Sequence, residues 1–403
     1  MWLWLGDMAY TDQRILRRRA PIFEQLMHIS MIQRIPYAMS IIRWVCGYTM
    51  YVHKDDRREL LMKTVNNEYY SKQVREKMPV IGVWDDHDFG VNDGDSTSLI
   101  KNEQRSMYLD ALEVPQTGDV RRDARKDEGL YFYQIVQKGG FKVLIVMFDV
   151  RFHKTDEDTL GEKQWLWFSQ VLEANTDANV ILLGSGTQYM MGNRLFNAEK
   201  WHNREVKRLL DTVDRYIHPR TPLVLLSGDV HHAQFLNLGC VYKERKVLEM
   251  TSSGITHTCE RNLKGFCTIA LKGNTPDKFQ ASEIVVEFNY GLIEIDLEHQ
   301  SISLKILGLN QKVLLEHQIP IENPRMNPPG SKYCENRSFV RSQFWFEAIA
   351  CHFTEAMIVK RNKFLIFGIT GAIIGVSLII EGIRNVRLYF RLVLGIIKRW
   401  WKK

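Results

Sequence analysis

A chain of 403 residues, 45% of them hydrophobic, is long enough to bury a sizeable core as one large domain or two smaller ones. Its net charge of +7 sits at one end: residues 360–403 hold ten Lys or Arg and one Glu, so the rest is slightly acidic, and a nucleic-acid partner is not expected. Six cysteines (Cys46, Cys240, Cys259, Cys267, Cys334 and Cys351), none in CxxC spacing, argue against a zinc ribbon.

In chain order, WLWL (2–5) predicts a short strand that ends in Gly6 and Asp7. The acidic residue at position 7 makes this apolar stretch too short for the core of a secretory leader. PVIGVW (79–84) predicts a buried strand that ends abruptly in Asp85, Asp86, His87 and Asp88. Buried carboxylates are costly unless they are paired or bind a metal. Helical spacing follows over 101–112. KVLIVMF (142–148) predicts a strand with Asp149 and Arg151 beyond its end. A helix is expected over 161–173, a strand at NVILLGS (179–185), and a helix over 199–213. PLVLLS (222–227) is a further strand, ending in Gly228 and Asp229, with His231 and His232 after it. Residues 284–320 alternate apolar and polar side chains, which predicts two or three antiparallel strands closing the domain. Strands alternating with helices predict a layered α/β fold.

The proline-rich stretch NPRMNPPG opens a linker over 321–363. FLIFGITGAIIGVSLII (364–380) carries no charge and predicts a single transmembrane helix; a buried core helix with a basic end is the bland alternative. Gly371 and Gly375 form a GxxxG within it, a weak signal for a helix-mediated homodimer. Residues 381–403 read as a basic amphipathic tail, with Arg384, Arg387, Arg391 and Lys398 on one face and Trp400 and Trp401 as an aromatic anchor. The positive-inside rule puts that tail in the cytosol and the body of the chain in a lumen or outside the cell. The glycosylation acceptor Asn336-Arg337-Ser338 agrees with this orientation.

Four strands that deliver Asp and His to one edge predict a metal centre, because ligands of open α/β sheets bind beyond the carboxyl ends of the strands. Mixed Asp and His ligation suits iron, manganese or zinc. A carboxylate bridging two ions about 3.5–4 Å apart sets up in-line attack on phosphorus. Each piece also has a plainer reading: Gly-Asp after a strand is commonly a turn, Asp85 a helix cap, and His232 a capping or surface histidine.

The order of these blocks resembles the calcineurin-like metallophosphoesterase superfamily and, more closely, its PhoD-like (alkaline phosphatase D) family. The likeness runs over residues 1 to about 320 and is carried by WLGDMAY, VIGVWDDHDFGVND, FDVRFHK, LGEKQWLWF, LLSGDVHHAQF, TSSGITH and NYGLIEIDL. It implies a double β-sheet sandwich flanked by helices, two metal ions (iron, calcium, manganese or zinc) and hydrolysis of a phosphomonoester or phosphodiester. It further implies that Asp7 bridges the ions and that Tyr10, Asp86, Asp229 and His231 complete the ligands. His87 would meet the phosphate or leaving group. Arg151 would hold phosphate oxygens, since a guanidinium forks onto them. Asp85 and His232 would lie beside the ligands, and His257 would lie beside them or face the substrate, a buried structural histidine being the plainer reading. In the superfamily a further metal-binding residue lies on a strand before the Gly-Asp block. With Met1 six residues before Asp7, that strand is expected to be missing here, which keeps open a second reading: a catalytically inactive membrane protein acting as an interaction scaffold.

Overall fold

The computed structural model describes residues 1–12, 52–123, 128–190, 201–237, 245–258 and 280–321. The chain divides into one unit over Met1–Asn336 and a second over Arg337–Lys403. The predicted linker beyond Ile321, the helix at 364–380, the basic tail and all six cysteines lie outside the described residues. Among the described residues no helix is long and apolar enough to cross a membrane.

The centre of the first unit is a seven-stranded sheet in the order β3-β4-β5-β6-β8-β7-β9. These strands are β3 (Phe132–Lys138), β4 (Phe141–Met147), β5 (Val180–Ser185), β6 (Leu223–Ser227), β7 (Ala233–Asn237), β8 (Val247–Ser252) and β9 (Gln280–Ala281). β4, β5, β6 and β8 run parallel. Every residue of β5 and β6 is buried. That explains why VILLGS and LVLLS read as unbroken apolar runs: a parallel strand covered on both faces has no polar side to show.

Two smaller sheets lie against one face. β1 (Trp2–Leu5) pairs in parallel with β2 (Val80–Val83), and β10 (Tyr290–Asp296), β11 (Ser301–Leu307) and β12 (Val313–Pro320) form an antiparallel meander. Leu3, Leu5, Ile81 and Val83, with Ile302, Leu304 and Ile306, pack on Val143, Ile145, Leu182, Val224 and Leu226 of the large sheet. The opposite face of the large sheet carries the helices Glu162–Glu173 and Asn203–Tyr216, which bury Trp165, Phe168, Leu209 and Leu210 against Leu144, Val146, Ile181 and Leu225. Trp4 and Trp84, on the far side of the β1–β2 pair, pack with Leu61 and Val65 of the helix Lys54–Val65 and with Met107 and Tyr108 of the helix Lys101–Ala111. In chain order these helices are α1 (54–65), α3 (101–111), α4 (162–173) and α5 (203–216); α2 is the single turn Asp86–Phe89. The layers therefore run helix, sheet, sheet, helix, which agrees with the layered α/β fold expected from the alternation of strands and helices.

Four strands of the large sheet were not foreseen: β9, which is only two residues long, and three others, each for a local reason. β3 shows mostly exposed residues and joins β4 through Gly139 and Gly140, both at positive φ, in a two-residue hairpin. β8 interrupts its apolar pattern with Glu249, which is fully buried and accepts hydrogen bonds from the amides of Tyr189 and Met190 and from Ser227 Oγ. β7 is apolar but short, and follows the histidines so closely that no turn signal separates it.

Candidate metal centre

The carboxyl ends of β1, β2, β5 and β6 meet at one point. Gly6 turns out of β1 at φ 84°, where a side chain would collide with Asp85; Gly228 turns out of β6 where a side chain would collide with the Leu5 carbonyl. Only glycine lets these two loops close on each other. Three site residues carry backbone strain as well: Asp7 (φ 50°), Asp229 (φ 73°) and His231 (φ 56°) are held in the left-handed region. Strain of this kind persists where the surroundings impose it, and it gathers at functional sites.

The donor atoms fall into two overlapping groups. Asp7, Asp86 and His87 each offer an atom within 4.8 Å of the others, and so do Asp85, Asp86 and Asp229. Asp86 is common to both. Its Oδ1 accepts from the amide of His87 at 2.8 Å and its Oδ2 from that of Asp93 at 2.8 Å, which fixes both oxygens. Tyr10 extends the set. Its hydroxyl shares a hydrogen bond of 2.6 Å with His231 Nε2 and lies 3.4 Å from Asp7 Oδ2, while His231 Nε2 stands 3.8 Å from the same oxygen. The Tyr10 ring lies between His87 and His257, with both centroid separations 4.0 Å. His257 is thus part of the site wall.

The electrostatics show what this cluster lacks. Burial pushes the carboxyl of Asp7 well above the usual range, and the charge of Asp86 pushes it further. Burial raises Asp229 in the same way, with Asp85 and Asp86 adding to it. Asp85 is raised by burial against the pull of Arg151. Burial opposes ionisation of Asp86 too, but Arg151, His87 and the two amides outweigh it and hold that carboxyl below its usual range. Burial likewise opposes a charged His87, yet Asp86, Asp12 and Asp7 push its imidazole up to about 11. Asp7 Oδ1 and Asp85 Oδ2 are buried with no hydrogen-bond partner among the described residues. A buried polar atom left unmatched is costly. Crowded carboxylates with unmatched oxygens, beside a phenol and an imidazole, are what a bound cation would satisfy.

Arg151 differs from its sequence expectation. It has no exposed surface, and its Nε donates to Asp85 Oδ1 at 2.5 Å. It stands beneath the cluster rather than at its mouth. His232 is also fully buried, with Nδ1 2.9 Å from the Val230 carbonyl.

No protein-family description matches this chain, and no curated protein matches it. Three solved structures resemble it. One is PhoD, at 14% identity over 56% of this chain and 48% of that one, with a TM-score of 0.40. The second is GAP50, the anchor in the inner membrane complex of Plasmodium, at 12% identity over 64% and 74%, with a TM-score of 0.38. The third is the purple acid phosphatase PPD1 from yellow lupin (Lupinus luteus) seeds, at 10% identity over 67% and 45%, with a TM-score of 0.42. The chain spans just under half the length of the first and third. Likeness at this level identifies neither family nor activity.

Four neighbours of the site escaped the sequence reading. Asp12 Oδ1 lies 3.0 Å from His87 Nδ1. Asp93 gives its amide to Asp86, and burial and Asp86 raise its own carboxyl. Lys154 is half-buried, and burial with the neighbouring Arg151 pulls its amine down to about 8. Asp88 accepts the amides of Met8 at 3.1 Å and Ala9 at 2.7 Å, and so ties the loop after β1 to α2. Asp88, Asp93 and Lys154 stand inside blocks that the sequence analysis picks out without giving them a role, and Asp12 stands five residues from Asp7 in the same short loop.

Proposed function

We propose that this chain hydrolyses phosphate esters as a metal-dependent, PhoD-like enzyme. The observation that carries this reading is the convergence of Asp7, Asp85, Asp86 and Asp229 with Tyr10, His87 and His231 at the strand ends, with two buried carboxylate oxygens unmatched. Asp7, Tyr10, Asp86, Asp229 and His231 would hold two cations, drawn from iron, calcium, manganese and zinc. When bound, such ions supply Lewis acidity toward a phosphoryl oxygen. Asp86 is the carboxylate common to both donor groups, and the resemblance would have Asp7 serve both ions. His87 faces the same cluster and supplies positive charge, and a proton, to a leaving oxygen. Arg151 acts through Asp85, holding that carboxylate ionised and in place. Lys154, nearer the surface, is the cation better placed to draw in an anionic substrate. Phosphomonoesters and phosphodiesters both suit this chemistry. The stretch 364–380 attaches the enzyme to a membrane, with the tail on the cytosolic side.

The test is metal content and turnover of the purified full chain on nitrophenyl phosphate and bis-nitrophenyl phosphate. Asp86→Ala is expected to lower bound metal and rate together by at least about tenfold. Full metal and full rate in that variant would remove the site assignment. A wild type that binds no metal and cleaves neither ester would favour the scaffold reading.

A further inference from the structure

β1 and β10 are each paired along one side only, β1 with β2 and β10 with β11, and among the described residues neither has a strand on its other side. A groove of about 310 Å³ separates those two open sides. All of β1 lines one wall, and residues 290–293 with Ile295 of β10 line the other, whereas no residue of β2, β11 or β12 reaches it. Val143, Leu182 and Leu226 of the large sheet form an apolar floor. Asp7 and His231 close one end. β1 finishes at that end and β10 starts there: Asn289, just ahead of β10, accepts from Ser252, next to the Ser253 that accepts the His231 amide. The two walls therefore run in opposite directions.

Both walls are open sheet edges. The Trp2 amide donates to the Pro79 carbonyl at 2.9 Å and the Gly6 amide to the Val83 carbonyl at 3.0 Å. Backbone groups of successive residues in a strand turn to opposite sides, so those of Leu3 and Leu5 turn into the groove. No described Lys, Arg, Glu or Pro lines it, so the usual protections of a free edge are missing. An aliphatic ligand would cover the floor but leave these amides and carbonyls without partners, which is costly once water is displaced. An extended peptide answers both needs, because its backbone bonds to the walls while alternate side chains meet the floor. We propose that the groove accepts one extended apolar segment of a separate polypeptide. The segment pairs with β1 and β10 at once and joins the two small sheets in the order β2-β1-segment-β10-β11-β12. It is parallel to one wall and antiparallel to the other in either direction of entry. β1 has four residues, so a segment of roughly five, at about 3.3 Å each, spans the groove.

The test uses the full chain in detergent and the fluorescein-labelled peptide Lys-Val-Thr-Val-Ile-Val-Lys, read by anisotropy. The peptide should bind at one to one and slow deuterium exchange at the Leu3 amide. Its valine amides face one wall and its threonine and isoleucine amides the other, so N-methylation of either set should weaken binding by at least about tenfold. Ile293→Lys, in the β10 wall, should weaken binding of the unmodified peptide similarly while metal content stays unchanged. The N-methylated peptides need no variant, so a fold disturbed by Ile293→Lys leaves the proposal decidable. Absence of peptide binding overturns it. Equal binding of the N-methylated and unmodified peptides would make the groove a site for any apolar ligand, and overturns it too. So does a loss from one set only, which means addition to a single edge. A Leu3 amide already protected in the chain alone, or a chain that pairs with its own copy in place of the peptide, assigns the groove to this chain and overturns the proposal as well.

Discussion

Asp88 stands in the same helical turn as Asp86 and is directed onto the amides of Met8 and Ala9. Burial nonetheless pushes its carboxyl up to about 7, against the pull of those amides. Burial raises Asp7 and Asp229 as well. In the metal-free protein each of these groups keeps its proton at a pH where the unfolded chain has lost it. Between about 4 and 7 the folded state therefore binds more protons than the unfolded one, and its stability falls as the pH rises. His231 works the other way. Burial, then His257, pulls it down to about 4, so its contribution improves with rising pH up to its ordinary 6.5. Asp85 and Asp93, raised too, and His87, pushed up, act in the same direction as these carboxyls, and together they outweigh one lowered imidazole. The chelated protein is accordingly expected to melt at a lower temperature at pH 7 than at pH 5. Asp88→Asn should flatten that slope, even though it weakens the fold by giving up one acceptor oxygen. Calorimetry of the two proteins with chelator at both values is the check. A melting temperature that climbs from pH 5 to pH 7 would show that the buried carboxyls are ionised without a cation.

The loop that leaves β4 illustrates how an element, rather than a residue, holds the centre together. Asp149 accepts the amide of Leu130 at 2.7 Å through one oxygen and those of Arg151 and Phe152, each at 2.9 Å, through the other. Gln164 of α4 fixes the Asp149 backbone in turn, at 2.9 Å and 2.8 Å. Arg151 is thus carried by a loop pinned from both sides, and Asp85 depends on Arg151. Asp149→Ala strips three buried amides of their acceptor, at about 1 kcal/mol or more each. It should cost about 3 kcal/mol in denaturant unfolding and also weaken metal binding in a titration. Leu209→Ala, in the core on the far face of the large sheet, should cost about 2–5 kcal/mol while leaving metal affinity unchanged. If both variants lose metal equally, the loop has no special part in the site. The same elements show what a sequence can disclose. Strands covered on both faces, such as β5 and β6, announce themselves as apolar runs, and the acidic residues beyond β1, β2 and β6 mark the site because little else explains charge at the end of a buried strand. α1 left no such mark: its sequence KDDRRELLMKTV has little amphipathic pattern, because it buries Arg57, paired with Glu103 of α3, where a core helix usually buries an apolar side chain. Asp12 and Arg151 were visible as residue types, but their partners lie 75 and 66 positions away and only the folded chain brings them together.

At the scale of the whole chain the charge is divided: the body is slightly acidic and the last 44 residues carry all of the excess positive charge. A soluble enzyme gains nothing obvious from such a tail, whereas a membrane-bound one gains an anchor and an orientation. The uncharged run at 364–380 comes first, then the basic face, then the paired tryptophans at 400 and 401. That order is the one expected if the run spans the bilayer and the tail lies along its cytosolic surface. Location should then be separable from catalysis. A chain ending at residue 340 is expected to stay in the soluble fraction and keep its metal, and a reporter fused to 360–403 is expected to sediment with membranes and resist extraction by high salt and alkali. A reporter released by salt alone would mean that the tail binds by charge and that 364–380 does not span. Removal of 382–403 separates the two contributions: continued resistance to alkali assigns the anchor to the apolar run itself. Orientation has its own readout at Asn336, which lies on the body side of that run. With the body in a lumen, the full chain should lose apparent mass on glycosidase treatment, and Asn336→Gln should abolish the shift. A full chain that sits in membranes but carries no glycan at Asn336, with Lys and Arg of the tail cleaved by trypsin added from the non-cytosolic side, would reverse the orientation and place the metal centre in the cytosol.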